Sequence, residues 1–158
     1  MINLNLEFLK RDKLLSFSLI IVFIQIFIAL FAPVLGFQDP YKIVVMERLK
    51  NPNFVNFFGT DHLGRDVLAR VVYGYRTSLI TSSLAVIISL IIGGTIGLLA
   101  AYYKGLFDRI VMRFMDILFA FPILLLAIGI IAVIGPSIWS ASIAIAIVYT
   151  PIFSRLIR

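Results

Sequence analysis

Long apolar segments alternate with short charged ones along this chain. The first apolar run, residues 14–33, has only Ser16, Ser18 and Gln25 as polar interruptions. A helix of about 20 apolar residues spans a hydrocarbon core of about 30 Å. The run is longer than the stretch of about 7 to 15 apolar residues in a secretory signal peptide. The pattern therefore predicts a retained first transmembrane helix.

Three further apolar segments follow at residues 78–101, 117–135 and 138–154. The second and third are separated by a segment with five charged side chains, each of which would cost about 2.5 to 3.5 kcal/mol at mid-membrane. That segment is therefore predicted to lie outside the hydrocarbon core. The pattern predicts an all-α membrane protein with about four transmembrane helices.

The distribution of basic residues predicts the orientation of these helices. With the N-terminus inside, the inner segments hold eight Lys and Arg residues and the outer segments hold six. The short connections differ more clearly, with three basic residues between the second and third spans and none between the third and fourth. Because basic residues favour the cytoplasmic side, we predict an inside N-terminus and an outside loop at residues 36–77.

Small side chains recur every four residues in the second span and form a ridge that includes a G-x-x-x-G pattern. A similar ridge occurs in the fourth span. Such ridges let helix backbones approach closely, and we predict packing within one bundle rather than homodimerisation. The ridge of the second span comprises Ala85, Ser89, Gly93, Gly97 and Ala101, and that of the fourth comprises Ser142, Ala146, Thr150 and Ser154.

The stretch GTDHLGRDVLARVVYGYRTSL, which begins at Gly59, has two acid-base pairs at i,i+4 spacing. The pairs are Asp61 with Arg65 and Asp66 with Arg70, in the acid-first order that stabilises a helix. Thr60 or Asp61 is the predicted N-cap. We predict a short extracytoplasmic amphipathic helix along the outer membrane surface before the second span. Contact with an outer partner, or a part in gating, is the alternative role.

Composition supports a membrane protein and excludes several classes of site. Of the 158 residues, 61% are hydrophobic and 14% charged, and the mean hydropathy is +1.08, well beyond an ordinary soluble domain. No cysteine is present, which excludes disulfides and thiolate sites. His62 is the only histidine, so a multi-histidine metal site is excluded. We predict no cofactor and no enzymatic activity, because no partnered titratable groups converge inside the spans.

The net charge of +6 does not indicate a nucleic-acid partner. The basic residues flank apolar spans and form neither a basic stripe nor a nucleic-acid-binding motif. Two prolines inside predicted spans, Pro122 and Pro151, are candidate hinges, and simple bends are the alternative, because proline is common in membrane helices.

The stretch NFFGTDHLGRDVLARVVYGYRTSL resembles the signature G-T-D-x-x-G-R-D-V-x-x-R-x-x-Y-G-x-R-x-S-L. That signature is typical of one permease subunit of bacterial and archaeal ABC importers for dipeptides, oligopeptides and nickel. The later segments GLLAAYYKGLFDRIVMRFMDILFAFPILLLAI and VIGPSIWSASIAIAIVYTPIFSRLIR are also similar to this family. The matching motif residues are Gly59, Thr60, Asp61, Gly64, Arg65, Asp66, Arg70, Gly74 and Arg76.

The resemblance implies a pore-forming subunit with the type I importer fold in the plasma membrane. It implies pairing with a second homologous permease, two cytoplasmic ATPases and an extracytoplasmic substrate-binding protein. The chain has no G-x-x-x-x-G-K-[ST] phosphate loop, which agrees with energy supplied by partner subunits.

Family members are nearly twice this length, with six spans and an E-A-A loop that docks into the ATPase. Here the sequence stops at Arg158, where that loop should begin. We therefore expect a truncated product that does not support coupled import alone. Its predicted parts are an N-terminal region, residues 1–77, and an incomplete permease domain, residues 78–158. The alternative is a small polytopic membrane adaptor that acts through helix association.

Overall fold

Helices form the regular structure of this protein. The computed structural model describes residues 13–158, a range with five α-helices, one 3₁₀ turn and no β-strand. The described residues form two compact units, with the boundary between Arg76 and Thr77. Three helices are long and apolar enough to cross a membrane, and a bent helix pair gives a fourth crossing if it is counted as one span. The predicted all-α membrane fold is confirmed.

Of the basic residues used to predict orientation, Lys10 and Arg11 lie outside the described range.

The first helix, α1, comprises Lys13–Phe31 and confirms the first predicted span. Its 19 residues extend about 28 Å at 1.5 Å per residue, which matches the hydrocarbon core. Ala29 is its only buried residue. The other side chains of α1 are exposed or half-buried. The chain turns directly after α1, where the N–H groups of Val34 and Leu35 both donate to the carbonyl oxygen of Phe31.

The second helix, α2, is longer than predicted and comprises Val67–Tyr103. The predicted separate amphipathic helix is therefore wrong. Residues 59–66 are not helical, and residues 67–76 are the first turns of α2. No proline or other helix-breaking step interrupts the backbone hydrogen bonds where the predicted boundary lay. With 37 residues, or about 55 Å, α2 exceeds the hydrocarbon core and must tilt or project from it.

The third predicted span, residues 117–135, is not one straight helix. The chain forms α3, Gly105–Ala120, and α4, Ile123–Ile134, whose axes differ by 92°. The break lies at Phe121 and Pro122. Proline disfavours helical backbone in the residue before it, and Phe121 accordingly has an extended ψ of 138°. The predicted start of the third span, residue 117, lies inside α3. The charged part of α3 and its apolar end belong to one helix.

The last helix, α5, comprises Ile138–Ile157 and confirms the fourth predicted span. A reciprocal capping box starts it, in which the Ser137 hydroxyl accepts from the Ser140 N–H and the Ser140 hydroxyl accepts from the Ser137 N–H. Such boxes satisfy two N–H groups that a helix start leaves unpaired. Helix α5 packs against α3 and α4 and holds most of the buried residues of its unit, many of them Ser and Ala.

Candidate functional site

Asp61 makes several polar side-chain contacts in the loop that leads into α2. Its carboxylate accepts the N–H groups of Leu63 at 2.8 Å and Arg65 at 3.0 Å. It also pairs with two guanidinium groups, Arg65 at 2.8 Å and Arg70 at 2.6 Å. The predicted Asp61–Arg65 pair is confirmed. Its setting is a turn closed by an isolated β-bridge between Thr60 and Asp66, not a helix.

The contacts of Asp61 change its titration. Partial burial by itself raises the pKa of this carboxyl group. The backbone N–H groups of Arg65 and Leu63 and the Arg65 guanidinium outweigh burial and hold the pKa well below its ordinary value of 3.8. Hydrogen bonds and positive charges favour the ionised form. The Asp61 carboxylate is therefore charged throughout the physiological range of pH.

Asp66 caps α2 and does not pair with Arg70. Its carboxylate oxygens accept the N–H groups of Leu68 and Ala69, both at 3.3 Å. The first N–H groups of a helix have no partner within the helix, and an aspartate directly before it can accept from them. The prediction of an Asp66–Arg70 pair is wrong because Asp66 precedes the helix. The prediction that Thr60 or Asp61 caps the helix is also wrong, because α2 begins only at Val67.

Thr60 and two glycines allow the chain to fold tightly around Asp61. The Thr60 hydroxyl accepts the Lys50 N–H at 2.9 Å and donates to the carbonyl oxygen of Glu47. Gly59 and Gly64 have φ values of +72° and +77°, which favour glycine. A β-carbon on Gly59 would lie 2.5 Å from the Lys50 carbonyl oxygen, and one on Gly64 would overlap the carbonyl of Val44. These motif residues therefore build one compact loop.

The last two motif residues lie apart from this loop, on α2. Gly74 is exposed, with no atom within 4 Å of the position that a β-carbon would take. Arg76 is half-buried, and within residues 13–158 it forms no ion pair. Between them, the Tyr75 hydroxyl donates to the Gln25 side-chain oxygen of α1 at 3.3 Å. This hydrogen bond joins α2 to α1.

The two predicted ridges of small residues pack against each other. A β-carbon on Gly93 would lie 2.5 Å from the Thr150 carbonyl oxygen, and one on Gly97 would overlap the Ser154 carbonyl oxygen. The predicted packing within one chain is confirmed for these residues. All four ridge residues of α5 are buried, as are Ala85, Ser89, Gly93 and Gly97 of α2.

Ala101 is an exception to the predicted ridge of α2. It is half-buried, whereas the neighbouring Ala100 is fully buried. Residues four apart on an α-helix differ by about 40° in direction, so a ridge of this spacing winds around the helix axis. After Gly97, a step of three residues keeps the contact on the same face. Ala100 therefore takes the place that was predicted for Ala101.

The two candidate hinge prolines have different settings. Pro122 stands at the 92° bend between α3 and α4 and directly precedes α4. Pro151 is fully buried inside the continuous helix α5. Proline removes one backbone hydrogen bond from a helix interior, and the Thr150 hydroxyl next to it donates to the Ala146 carbonyl oxygen. Only Pro122 coincides with a break.

Two ion pairs between α3 and α5 were not predicted. Arg155 pairs with Asp116 and Arg158 pairs with Asp108, both at 2.5 Å. The Arg155 guanidinium also lies 4.5 Å from the centre of the Phe119 ring. The partners are separated by 39 and 50 residues, so no local spacing reveals them. The available signal was the placement of both segments on the same predicted side of the membrane.

The acidic side chains of the described residues do not gather in one cluster. Within the described part of the chain, no three His, Asp or Glu side chains come close enough to hold a metal ion. The unpaired buried oxygens there are one carboxylate oxygen of Asp108 and the hydroxyl of Ser154. The loop, the ridges and the ion pairs each join segments of the chain.

Comparison with known proteins identifies relatives over nearly the whole chain. Residues 93–158 match the family described as binding-protein-dependent transport system inner membrane component. The dipeptide transport system permease protein of Alkalihalophilus pseudofirmus is 47% identical over 150 residues, which are 95% of this chain and 49% of that protein. The glutathione transport system permease protein of Pectobacterium atrosepticum is 39% identical over 153 residues, 96% of this chain and 50% of that protein.

A third relative agrees with these two. The probable D,D-dipeptide transport system permease protein of Escherichia coli is 37% identical over 150 residues, 95% of this chain and 50% of that protein. The chain spans about half the length of the curated relatives it matches. The matches agree with the candidate membrane-spanning helices of the structure. Residues 93–158 therefore match the family of binding-protein-dependent transport system inner membrane components, and nearly the whole chain is similar to permease proteins of peptide transport systems.

Proposed function

We propose that this chain is the permease part of an ATP-driven ABC importer and forms part of the translocation pathway for peptides. The observation that carries the proposal is its 47% identity, over 95% of its residues, to a dipeptide transport permease. The other two relatives named above are a glutathione transport permease and a probable D,D-dipeptide transport permease. The apolar helices α1, α2 and α5 agree with this role, because each is long enough to cross a bilayer.

The proposed partners are a second homologous permease, two cytoplasmic ATPases and an extracytoplasmic substrate-binding protein. In this scheme ATP binding and hydrolysis on the ATPases drive alternating access, and the binding protein delivers the cargo. We place the protein in a bacterial or archaeal plasma membrane as a multi-pass protein with its N-terminus inside. Residues 1–77 then carry the outer loop, and residues 78–158 form the permease domain.

Each structural feature has a part in this proposal. The loop around Asp61 presents a preformed surface on the outer side. The close contact of Gly93 and Gly97 with α5 holds two helices as one rigid pair, and Pro122 allows α3 and α4 to change direction. The two ion pairs join α3 to α5 on the inner side, where movement of the ATPases would reach the permease.

A hybrid permease tests the proposal. Residues 1–158 would replace the matching half of the A. pseudofirmus dipeptide permease, in a strain that has the other transporter subunits but lacks this permease. Uptake of labelled dipeptide, glutathione and nickel would be measured in separate assays. We expect the hybrid to restore dipeptide uptake, because its transmembrane helices supply the missing part of the pathway.

The control is the same hybrid with Gly97→Leu. This substitution would push α2 away from the Ser154 carbonyl oxygen, and we expect it to abolish uptake. The proposal is contradicted by a hybrid that accumulates in the membrane at the level of the natural permease, binds the ATPases and takes up none of the three compounds. A hybrid that takes up nickel but no dipeptide would contradict peptides as the cargo.

A further inference from the structure

A short turn in the loop before α2 buries a polar side chain and exposes three aromatic ones. We name residues 53–58 the aromatic turn. Asn56 is buried in it, with 3% of its surface exposed, whereas Phe54 is 98%, Phe57 63% and Phe58 60% exposed. Apolar side chains normally lie inside and polar ones outside, so a short turn that exposes three large apolar side chains is a candidate interaction surface.

Hydrogen bonds hold the aromatic turn in this arrangement. The Asn53 side-chain oxygen accepts the N–H groups of Val55 at 2.9 Å and Asn56 at 2.8 Å. The Asn53 N–H donates to the Asn56 carbonyl oxygen at 3.0 Å, and that oxygen also accepts the Gly59 N–H at 2.9 Å. The exposure of the three phenylalanines is thus imposed by a defined turn.

The aromatic turn is attached to the end of α1 and to the start of α2. The Gln38 side chain, which follows α1 by seven residues, donates to the Asn56 side-chain oxygen at 3.2 Å. On the other flank, the carbonyl oxygen of Gly59 accepts the N–H group of Val67, the first residue of α2, at 3.1 Å. The turn is thus held between the segment that follows α1 and the first residue of α2. Helix α1 matches the thickness of the hydrocarbon core, whereas α2 is longer than the core.

We propose that the aromatic turn inserts Phe54, Phe57 and Phe58 into the interfacial region of the bilayer at the end of α1. The exposed apolar surface of α1, a candidate membrane span, continues beyond the helix through Val34 and Leu35, which are 81% and 47% exposed. Phenylalanine is one of the residues that typically enter the boundary between headgroups and acyl chains.

The bilayer is the occupant favoured by continuity with the exposed apolar surface of α1, which is long and apolar enough to cross a membrane. The side chain of Lys50, three residues before the turn, is half-exposed and pairs with Glu47 at 3.2 Å. A basic residue beside an aromatic anchor can contact lipid phosphate. The inference holds whichever side of the membrane the loop occupies and does not depend on the proposed transport function.

Site-specific fluorescence tests the inference, because the natural chain has no cysteine. The full chain would be reconstituted in vesicles of phosphatidylethanolamine and phosphatidylglycerol, with one cysteine labelled by the environment-sensitive fluorophore NBD. The test variants are Phe54→Cys and Phe57→Cys. The matched control is His62→Cys, an exposed position in the same loop. Quenching by lipids with a doxyl group high on the acyl chain is compared with quenching by aqueous iodide.

We expect doxyl quenching several-fold stronger at the turn than at residue 62, and the reverse for iodide. A second measurement uses a label at Val55→Cys, with and without serine at all three phenylalanine positions. Loss of doxyl quenching in the serine variant supports insertion by the aromatic rings. Equal quenching at the turn and at residue 62 would overturn the inference. So would shielding from iodide that appears only when an extracytoplasmic binding protein is added.

Discussion

Gly93 of α2 lies directly against the carbonyl oxygen of Thr150 in α5, and a β-carbon on Gly93 would stand 2.5 Å from that oxygen. Close approach of two backbones replaces interdigitated side chains at this contact. In a bilayer, where lipid competes equally for apolar surface, small residues at helix contacts are a main source of helix association. The contact therefore depends on the absence of a side chain.

Gly93→Ala should destabilise the protein by about 1–3 kcal/mol, because the backbone of α5 cannot yield as a flexible side chain would. The measurement is thermal unfolding in detergent. Gly74→Ala is the matched control in the same helix, where nothing lies within 4 Å. It should leave stability unchanged or raise it by up to about 1 kcal/mol, since glycine inside a helix is unfavourable relative to alanine. Equal melting temperatures for the two variants would contradict the packing described here.

Acid should weaken the loop around Asp61. The pKa of this carboxyl lies below its ordinary value of 3.8 in the folded protein, so folding favours the ionised form. The contribution to stability is complete above about pH 4 and is lost as pH falls from there toward the folded pKa. Amide hydrogen exchange at Leu63 and Arg65 reports the opening of the loop. We expect protection of these amides to be constant from pH 7 to about pH 4, after correction for intrinsic exchange, and to fall at lower pH.

Asp61→Asn is the control for this titration. The amide cannot form the two ion pairs, so protection should already be reduced at neutral pH and should show no acid-dependent step of its own at these amides. Asp39→Asn, elsewhere in the loop, should retain the profile of the natural chain. An acid-dependent step of the same size in Asp61→Asn would show that another group controls the loop.

The two ion pairs between α3 and α5 should differ in strength. The side chains of Asp116 and Arg155 are 50% and 45% exposed, and such a pair contributes about 0–1 kcal/mol. The Asp108 side chain is only 15% exposed and has one buried oxygen without a partner. Removal of its arginine would leave that carboxylate partly buried and unpaired, which costs about 1–3 kcal/mol or more.

Arg158→Gln should therefore lower the unfolding free energy more than Arg155→Gln, as measured by denaturant unfolding in detergent micelles. The double variant Asp108→Asn with Arg158→Gln should recover part of the loss, because no unpaired charge remains. A larger effect for Arg155→Gln would reverse this assignment and would indicate that its contact with the Phe119 ring matters more than the ion pairs.

Pro122→Ala should straighten the break between α3 and α4. Alanine restores a backbone N–H and releases Phe121 from its extended conformation, and it is favoured over proline by about 3 kcal/mol inside a helix. Spin labels at Arg109→Cys and Ile130→Cys report the change by pulsed electron resonance. A continuous helix would place these positions about 32 Å apart along its axis, farther than the 92° bend allows. Pro151→Ala, inside a continuous helix, should leave the distance unchanged.

Local patterns predicted that the two ridges pack within one bundle, but not which helices meet and not the structure of the loop. The small side chains marked both ridges because close helix packing requires them, and the structure shows that residues 93 and 97 contact the fourth span. The partners of Asp66 and of Arg70 could not be predicted in the same way. Their i,i+4 spacing favours an ion pair on a helix, but the helix begins only at Val67. The carboxylate of Asp66 therefore binds helix N–H groups, and Arg70 turns to Asp61.

The sequence by itself determined which segments are apolar enough to enter a membrane, because that property depends on the length and composition of each segment alone. It also indicated which family the chain resembles, through the motif and the similarity of nearly every segment. Only the tertiary structure decided which charges pair, that a 92° bend separates α3 from α4, and that Phe54 lies outside while Asn56 lies inside. These outcomes depend on distances between residues far apart in the chain and on competition among several partners for the same hydrogen-bonding groups.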